Sequence, residues 1–291
     1  MRLLTSFELT PAARTAIAPL RPHHVENFDV CEWRGLREFT ARQLGCAPAE
    51  LDVLHEIEAA RGGVPRKGRR RTTGSRANVD ALADLVTTYE AFVCRVIAPH
   101  IAARYDGACE AVVFQAMPSL RVATPSDQPI GHRHRDADYG HQPGQINWWL
   151  PLTRCFGRNT LWLEPAGRGE ARPLEGEFGT LHRFHGHVQH HFTCPNDTGS
   201  TRVSLDFRTV PWNCYDDDWP ASRSPATGRQ SFFLGGYYAK AELDSGTGEW
   251  RVVRSESEER DGPLRGNAAR RQRAASGSLS AGIQPGRVGS E

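Results

Sequence analysis

The sequence predicts a mainly β chain, a jelly roll carrying N-terminal α-helices on its outside. Two stretches of contrasting texture along its 291 residues support this. The first hundred or so residues have the three- and four-residue apolar spacing of amphipathic helices. From about Glu110, short runs of β-branched and aromatic residues alternate with Gly, Pro and Asn, as in an antiparallel sandwich or barrel.

In the helical part, Leu82, Leu85, Val86, Tyr89, Phe92, Val93, Val96, Ile97 and Ile101 recur on one face of a helix expected over 78–104. A shorter helix is expected over 49–60, with Pro48 at a start that tolerates proline. Between them, GGVPRKGRRRTTGSR is a Gly-rich basic loop. Its residues 66–76 suit either a solvated surface or a lid for an anionic substrate. The expected strands are EAVVFQAM, LRVATP, QINWWLPL, NTLWLEP, GTLHRFHG and TRVSLDFRTV, with SFFLGGYYA as a return strand or lid. The last stretch has two leucines, no aromatic residue and many Gly, Ser and charged residues, the composition of a disordered tail. The expected organisation is therefore a helical buttress over 1–109, a jelly-roll core over 110–252 and a tail over 253–291.

Composition narrows the function. A formal net charge of +2 does not mark a nucleic-acid or membrane-surface binder. No apolar run of about eighteen residues is present, and the N-terminus lacks a secretory signal pattern, so a cytoplasmic protein is expected. The seven cysteines are odd in number and form no CxxC pair, which suits reduced thiols rather than a disulfide framework or a cysteine zinc site.

The histidines carry the chemistry. Of twelve, eight (His132, His134, His141, His182, His185, His187, His190 and His191) fall within the predicted β body. Imidazole is the commonest protein metal ligand. If GHRHRDADYGH runs as a strand, His134 and Asp136 share a face. Two imidazoles and one carboxylate on one side of an iron leave open positions for a co-substrate and O2. The third ligand must come from His182, His185, His187, His190 or His191. Downstream, Arg202 and Ser204 share a face of a well-patterned strand, a guanidinium beside a hydroxyl that suits a bidentate carboxylate clamp.

The set His134-x-Asp136, His191 and Arg202-x-Ser204, with eleven residues from His191 to Arg202, resembles the iron- and 2-oxoglutarate-dependent dioxygenase superfamily. The segments HRDADYGHQPGQINWWLPLTRCFGRNTLWLEP and NDTGSTRVSLDFR are similar to StrG-like proteins of aminoglycoside biosynthesis. The resemblance covers about residues 110–212. It implies a double-stranded β-helix with N-terminal helices packed on one sheet. It also implies Fe(II) on His134, Asp136 and His191, with His190 one register step away as the alternative. 2-Oxoglutarate and O2 would be co-substrates, the distal carboxylate held by Arg202, Ser204 and Thr160. Asp136 stands where related iron halogenases have a small residue, which disfavours halogenation.

Arg121 and Asn147 suit either solvent-facing positions or the cavity, against 2-oxoglutarate or substrate. Asp138, Tyr139 and His141 are expected at the barrel mouth, and His132 beside the metal pair or at the strand entrance. The expected reaction is oxidation of a small polar substrate, such as an aminoglycoside, cyclitol, nucleoside or amino-acid derivative. The rivals are a metal-binding cupin that does not use 2-oxoglutarate and a non-catalytic β-sandwich binding protein.

Overall fold

A computed structural model describes residues 9–62, 79–166, 169–224 and 226–254. The chain divides into two units, Met1–Val253 and Arg254–Glu291, and the following concerns the first. The basic segment 66–76 and nearly all of the expected tail lie outside the described residues.

Helix α1 (Pro11–Ile17) starts at Thr10, whose hydroxyl accepts from the Ala13 amide. Strand β1 (His24–Asn27) then interrupts the helical part, which the apolar spacing did not anticipate. Its four residues join a sheet edge, and a run that short has little periodicity to read. Helix α2 (Val30–Leu44) is capped by the Asp29 carboxylate, which accepts from the Cys31 and Glu32 amides. The helix expected over 49–60 is a 3-10 segment, Pro48–Val53, followed by α3 (Leu54–Ala60).

The long helix also departs locally from expectation. It runs as α4 (Val79–Phe92), one π turn (Val93–Ile97) and α5 (Ala98–Arg104). Pro99 has no amide hydrogen and its ring crowds the carbonyl four residues back, so the ladder widens just before it.

The body is antiparallel. The larger sheet contains β1, β2 (Ala111–Gln115), β3 (Ser119–Ala123), β4 (Ile146–Pro151), β7 (Thr180–Phe184), β9 (Arg202–Pro211), β10 (Tyr238–Leu243) and β11 (Trp250–Val253). Its order is β1-β7-β4-β9-β2-β10-β11, and β3 lies beside β2 on the same edge of β9. A smaller sheet has the order β6-β5-β8, from β6 (Arg172–Pro173), β5 (Leu161–Leu163) and β8 (His191–Thr193). All six expected segments contain a strand. In SFFLGGYYA only the end does, where β10 begins.

The period of two divides the larger sheet into chemically different faces. Val203, Leu205 and Phe207 of β9, with Trp148 and Leu150 of β4, join the main core beneath the helices. Tyr89 of α4 meets Phe207 edge to face at 5.2 Å, and Trp33 of α2 meets Phe92 at 5.0 Å. On the opposite face Trp149 and Phe184 pack with Leu163 of the smaller sheet in a second, smaller apolar cluster. The result is a helix-backed sandwich with a polar interior row: Arg202, Ser204, Asp206 and Arg208 alternate with that apolar set along β9. Trp148 and Trp149 are both buried but face opposite ways, while Trp162 is only half-buried and stacks on Phe192. No helix among the described residues is long and apolar enough to cross a membrane.

Candidate functional site

His134 and His191 meet across a single antiparallel bridge. The His134 amide donates to the His191 carbonyl at 3.2 Å, and the reverse bond is 3.0 Å. Residues directly opposite in such a pair project to the same face. The two imidazole rings accordingly lie 4.3 Å apart, centroid to centroid.

Asp136 does not continue a strand. Its amide donates to the Gly186 carbonyl at 2.8 Å and it opens a 3-10 turn, Asp136–Tyr139. That turn closes on Gly140, at φ 82°, where a Cβ would stand 2.1 Å from the Ala221 carbonyl oxygen. A bridge followed by a turn, rather than a pleat, therefore brings the three side chains together. Their candidate ligand atoms lie within 4.8 Å of one another.

The proton inventory shows what this cluster lacks. His134 Nδ1 lies 2.7 Å from the His132 carbonyl oxygen, and His191 Nδ1 lies 3.1 Å from that of Gln189. A carbonyl only accepts, so each Nδ1 carries a proton, and the neutral form of each ring turns its Nε2 lone pair inward. Asp136 Oδ1 is 3.5 Å from Nε2 of His191 and 3.9 Å from that of His134. The other carboxylate oxygen is fully engaged. Oδ2 accepts from Gln145 and Asn147, each at 2.6 Å, and from Arg208 Nε at 3.1 Å.

Burial alone would push the Asp136 carboxyl up. The Arg208 guanidinium outweighs it and holds the group well below the usual carboxylate range. Burial likewise lowers His134. Three inward lone pairs, one on an anion, repel one another until a cation sits among them. Two imidazoles and a carboxylate are the donor set of a facial non-haem iron(II) site, and the residues fit that group.

A second polar feature lies on β9. Arg202 is 1% exposed, and its Nε and Nη1 have no hydrogen-bond partner. The Ser204 hydroxyl, fully buried two residues on, also has none. Burial pulls the Arg202 guanidinium down to about 10. Buried polar groups are normally satisfied, so a guanidinium and a hydroxyl left open on one face suit a carboxylate guest.

Other expected site residues are engaged elsewhere. The Thr160 hydroxyl donates to the Leu174 carbonyl, so the proton expected to serve 2-oxoglutarate is already in use. Asn147 lies inside, as one expectation had it, but it grips Asp136. Its own Oδ1 accepts from Gln145 and the Gly186 amide. Arg121 is paired side-on with Asp206, at 3.0 and 3.3 Å, rather than open to a ligand. His190 turns to the other face of its strand and lies 3.4 Å from Glu164, so His191 is the histidine that faces Asp136. Asp138 is exposed and held by Arg135. His132 contributes through its backbone carbonyl. His141 is buried against Phe232, and burial lowers it to about 3.

Sequence reasoning missed Gln145 and Arg208. Both follow from the period of two: Gln145 precedes Asn147 by two positions, and Arg208 continues the row of Arg202 and Ser204.

No family model matches the chain. Two solved structures resemble it at low identity. One, the nickel complex of the non-haem monooxygenase ThoJ, is 15% identical over 91% of this chain and 99% of its own, with a TM-score of 0.48. The other, the non-haem α-ketoglutarate-dependent epimerase SnoN from nogalamycin biosynthesis, is 13% identical over 77% and 95%, with a TM-score of 0.43. In sequence, 161 residues, 55% of this chain, are 34% identical to the streptomycin biosynthesis protein StrG of Streptomyces griseus and span 71% of that protein. At that identity and coverage, the chain belongs to the StrG family.

Proposed function

We propose that the protein is an Fe(II)- and 2-oxoglutarate-dependent oxygenase that hydroxylates a C–H bond of a small polar natural-product intermediate. Residues 110–252 are its double-stranded β-helix core and 1–109 the buttress, which also lends β1 to the sheet. The reading rests on one observation: two inward Nε2 atoms and a carboxylate oxygen held only by a long 3.4 Å bond from Arg208 share a sandwich interior with a buried guanidinium two of whose nitrogens have no partner. Membership in the StrG family supports a biosynthetic setting.

His134, Asp136 and His191 would hold the iron, which supplies O2 activation and the oxidative decarboxylation of 2-oxoglutarate. The balanced reaction converts 2-oxoglutarate, O2 and a substrate C–H into succinate, CO2 and the C–OH product. The chain's own part is positional. The carbonyls of His132 and Gln189 keep the Nδ1 protons in place, so both imidazoles present Nε2. Gln145, Asn147 and Arg208 occupy Oδ2, so Asp136 offers one oxygen and remains an anion. Arg202 and Ser204 donate to the far carboxylate of 2-oxoglutarate. Trp149 and Phe184 form apolar wall on the same face and exclude water there.

Anaerobic addition of Fe(II) and 2-oxoglutarate is expected to give a weak visible charge-transfer band, and air to release succinate. The band is lost in Asp136→Ala, and Arg202→Gln requires much more 2-oxoglutarate to form it. Iron binding with no response to 2-oxoglutarate would instead favour a cupin-type enzyme.

A further inference from the structure

A cavity of about 1030 Å³ lies between α1 and its following turn, the segment after β7, and the smaller sheet, and one of its lining residues, Gln189, holds His191 Nδ1 through its carbonyl. Its described lining includes Arg14, Arg21 and Arg172, with His185 and His187, and among the described residues no carboxylate. Much of the remaining wall is apolar, from Leu163, Leu174 and several prolines.

The register connects this cavity to the cluster. Leu163 of β5 pairs with Arg172 of β6 on one side and with His191 of β8 on the other. The three therefore form one cross-strand row with their side chains on a common face. Two strand spacings put the Arg172 backbone about 10 Å from that of His191.

The other wall is electrically one-sided. Arg21 is half-buried, and its Nε is sequestered without a hydrogen-bond partner. Burial lowers its guanidinium and neighbouring Arg14 lowers it further; His185 and His187 are lowered chiefly by burial, with a smaller contribution from the positive field of Arg21. Cations gathered around a partly apolar cavity repel one another, and an anionic guest relieves both that repulsion and the open donor.

We propose that this cavity is the substrate chamber, and that it takes a phosphorylated small molecule whose phosphate sits between Arg21 and Arg172. The bulk of the molecule then lies along Leu163, which directs its reacting carbon toward His191. The assignment of a reaction at that carbon rests on the oxygenase reading; the phosphate site does not. Two guanidinium forks match the several acceptor oxygens and double charge of a phosphate monoester better than they match a single carboxylate.

Inorganic phosphate is the probe, titrated calorimetrically into the metal-free full-length chain, with acetate and sulfate as comparison anions. Phosphate is expected to bind at millimolar concentration or tighter. Arg21→Gln and Arg172→Gln should each weaken it about tenfold. Both should keep the anaerobic Fe(II) and 2-oxoglutarate band, and Arg202→Gln should show the reverse pattern. Arg172 is exposed, so its variant retains the fold even if Arg21→Gln does not. Unchanged phosphate affinity in Arg172→Gln overturns the proposal. So does loss confined to Arg202→Gln, which would mean that phosphate merely enters the carboxylate clamp, or acetate binding as tightly at the same arginines. A missing band with arginine-dependent phosphate binding intact would overturn the oxygenase reading and leave the phosphate site standing.

Discussion

Replacing Arg202 with methionine should make the ligand-free protein more stable and the ligand-bound protein less so. The side chain is 1% exposed, two of its nitrogens have no partner, and burial holds its guanidinium at about 10. At about 1.4 kcal/mol per pH unit, that depression corresponds to about 3 kcal/mol held against the folded, charged state. Methionine has a similar reach and carries no charge. Part of the gain is lost with the cation–π contact to Trp149, whose ring centroid is 5.9 Å from the guanidinium carbon. The net expectation is a stabilisation of about 2 kcal/mol at pH 7 without 2-oxoglutarate. The advantage holds to about pH 9 and shrinks above about pH 10. There the folded wild type releases a proton that its unfolded chain keeps, so wild-type stability rises with pH. At a hundredfold excess over its dissociation constant, 2-oxoglutarate adds about 2.7 kcal/mol to the wild type and nothing to the variant, reversing the order. Urea denaturation with and without 2-oxoglutarate and a divalent metal measures both. A variant destabilised by more than about 1 kcal/mol without ligand would refute the reasoning, because the guanidinium would then be satisfied within the protein.

Other outcomes follow from the same geometry. In Gly186→Ala, the new Cβ meets the Asn147 side chain at 2.6 Å, so Asn147 must leave Asp136. Titration with Fe(II) or Mn(II) should show affinity falling about ten- to a hundredfold, with a stability cost of about 1–3 kcal/mol. His191→Ala should abolish that binding, whereas His190→Ala, on the opposite face, should leave it within about twofold. His182 and His185 are buried, and burial lowers each to about 4. They stay neutral in the folded protein, so their contribution is full above about pH 6.5 and is lost as pH falls toward 4. By pH 5 the loss is about 2 kcal/mol each. Urea midpoints compared at pH 7 and pH 5 should therefore fall less in His182→Gln than in the wild type.

Periodicity and composition made much of this protein legible. The spacing of Leu85, Val86, Tyr89 and Phe92 marked the face that α4 buries, because an amphipathic helix repeats its apolar residues every three or four positions. Alternation in TRVSLDFRTV set Arg202 and Ser204 on one face, and the same alternation carries Asp206 and Arg208. His134 and Asp136 stood out as candidate ligands because metal ligands are drawn from few residue types, whereas His191 was preferred among five histidines only through the family resemblance. Strands as short as β1, β6 and β8 escaped notice, since two to four residues define no period and exist only through their partners.

What the tertiary structure alone decided is which groups are already engaged. Thr160, Asn147 and Arg121 resemble ligand-binding residues in sequence, yet a backbone carbonyl, Asp136 and Asp206 respectively occupy them. His190 and His191 are neighbours of one residue type, and only the bridge to His134 selects between them. Local preference records what a residue does within its own turn or strand. Hydrogen bonding and charge depend on partners brought in from dozens of positions away, and that pairing is settled only once the sheets have packed.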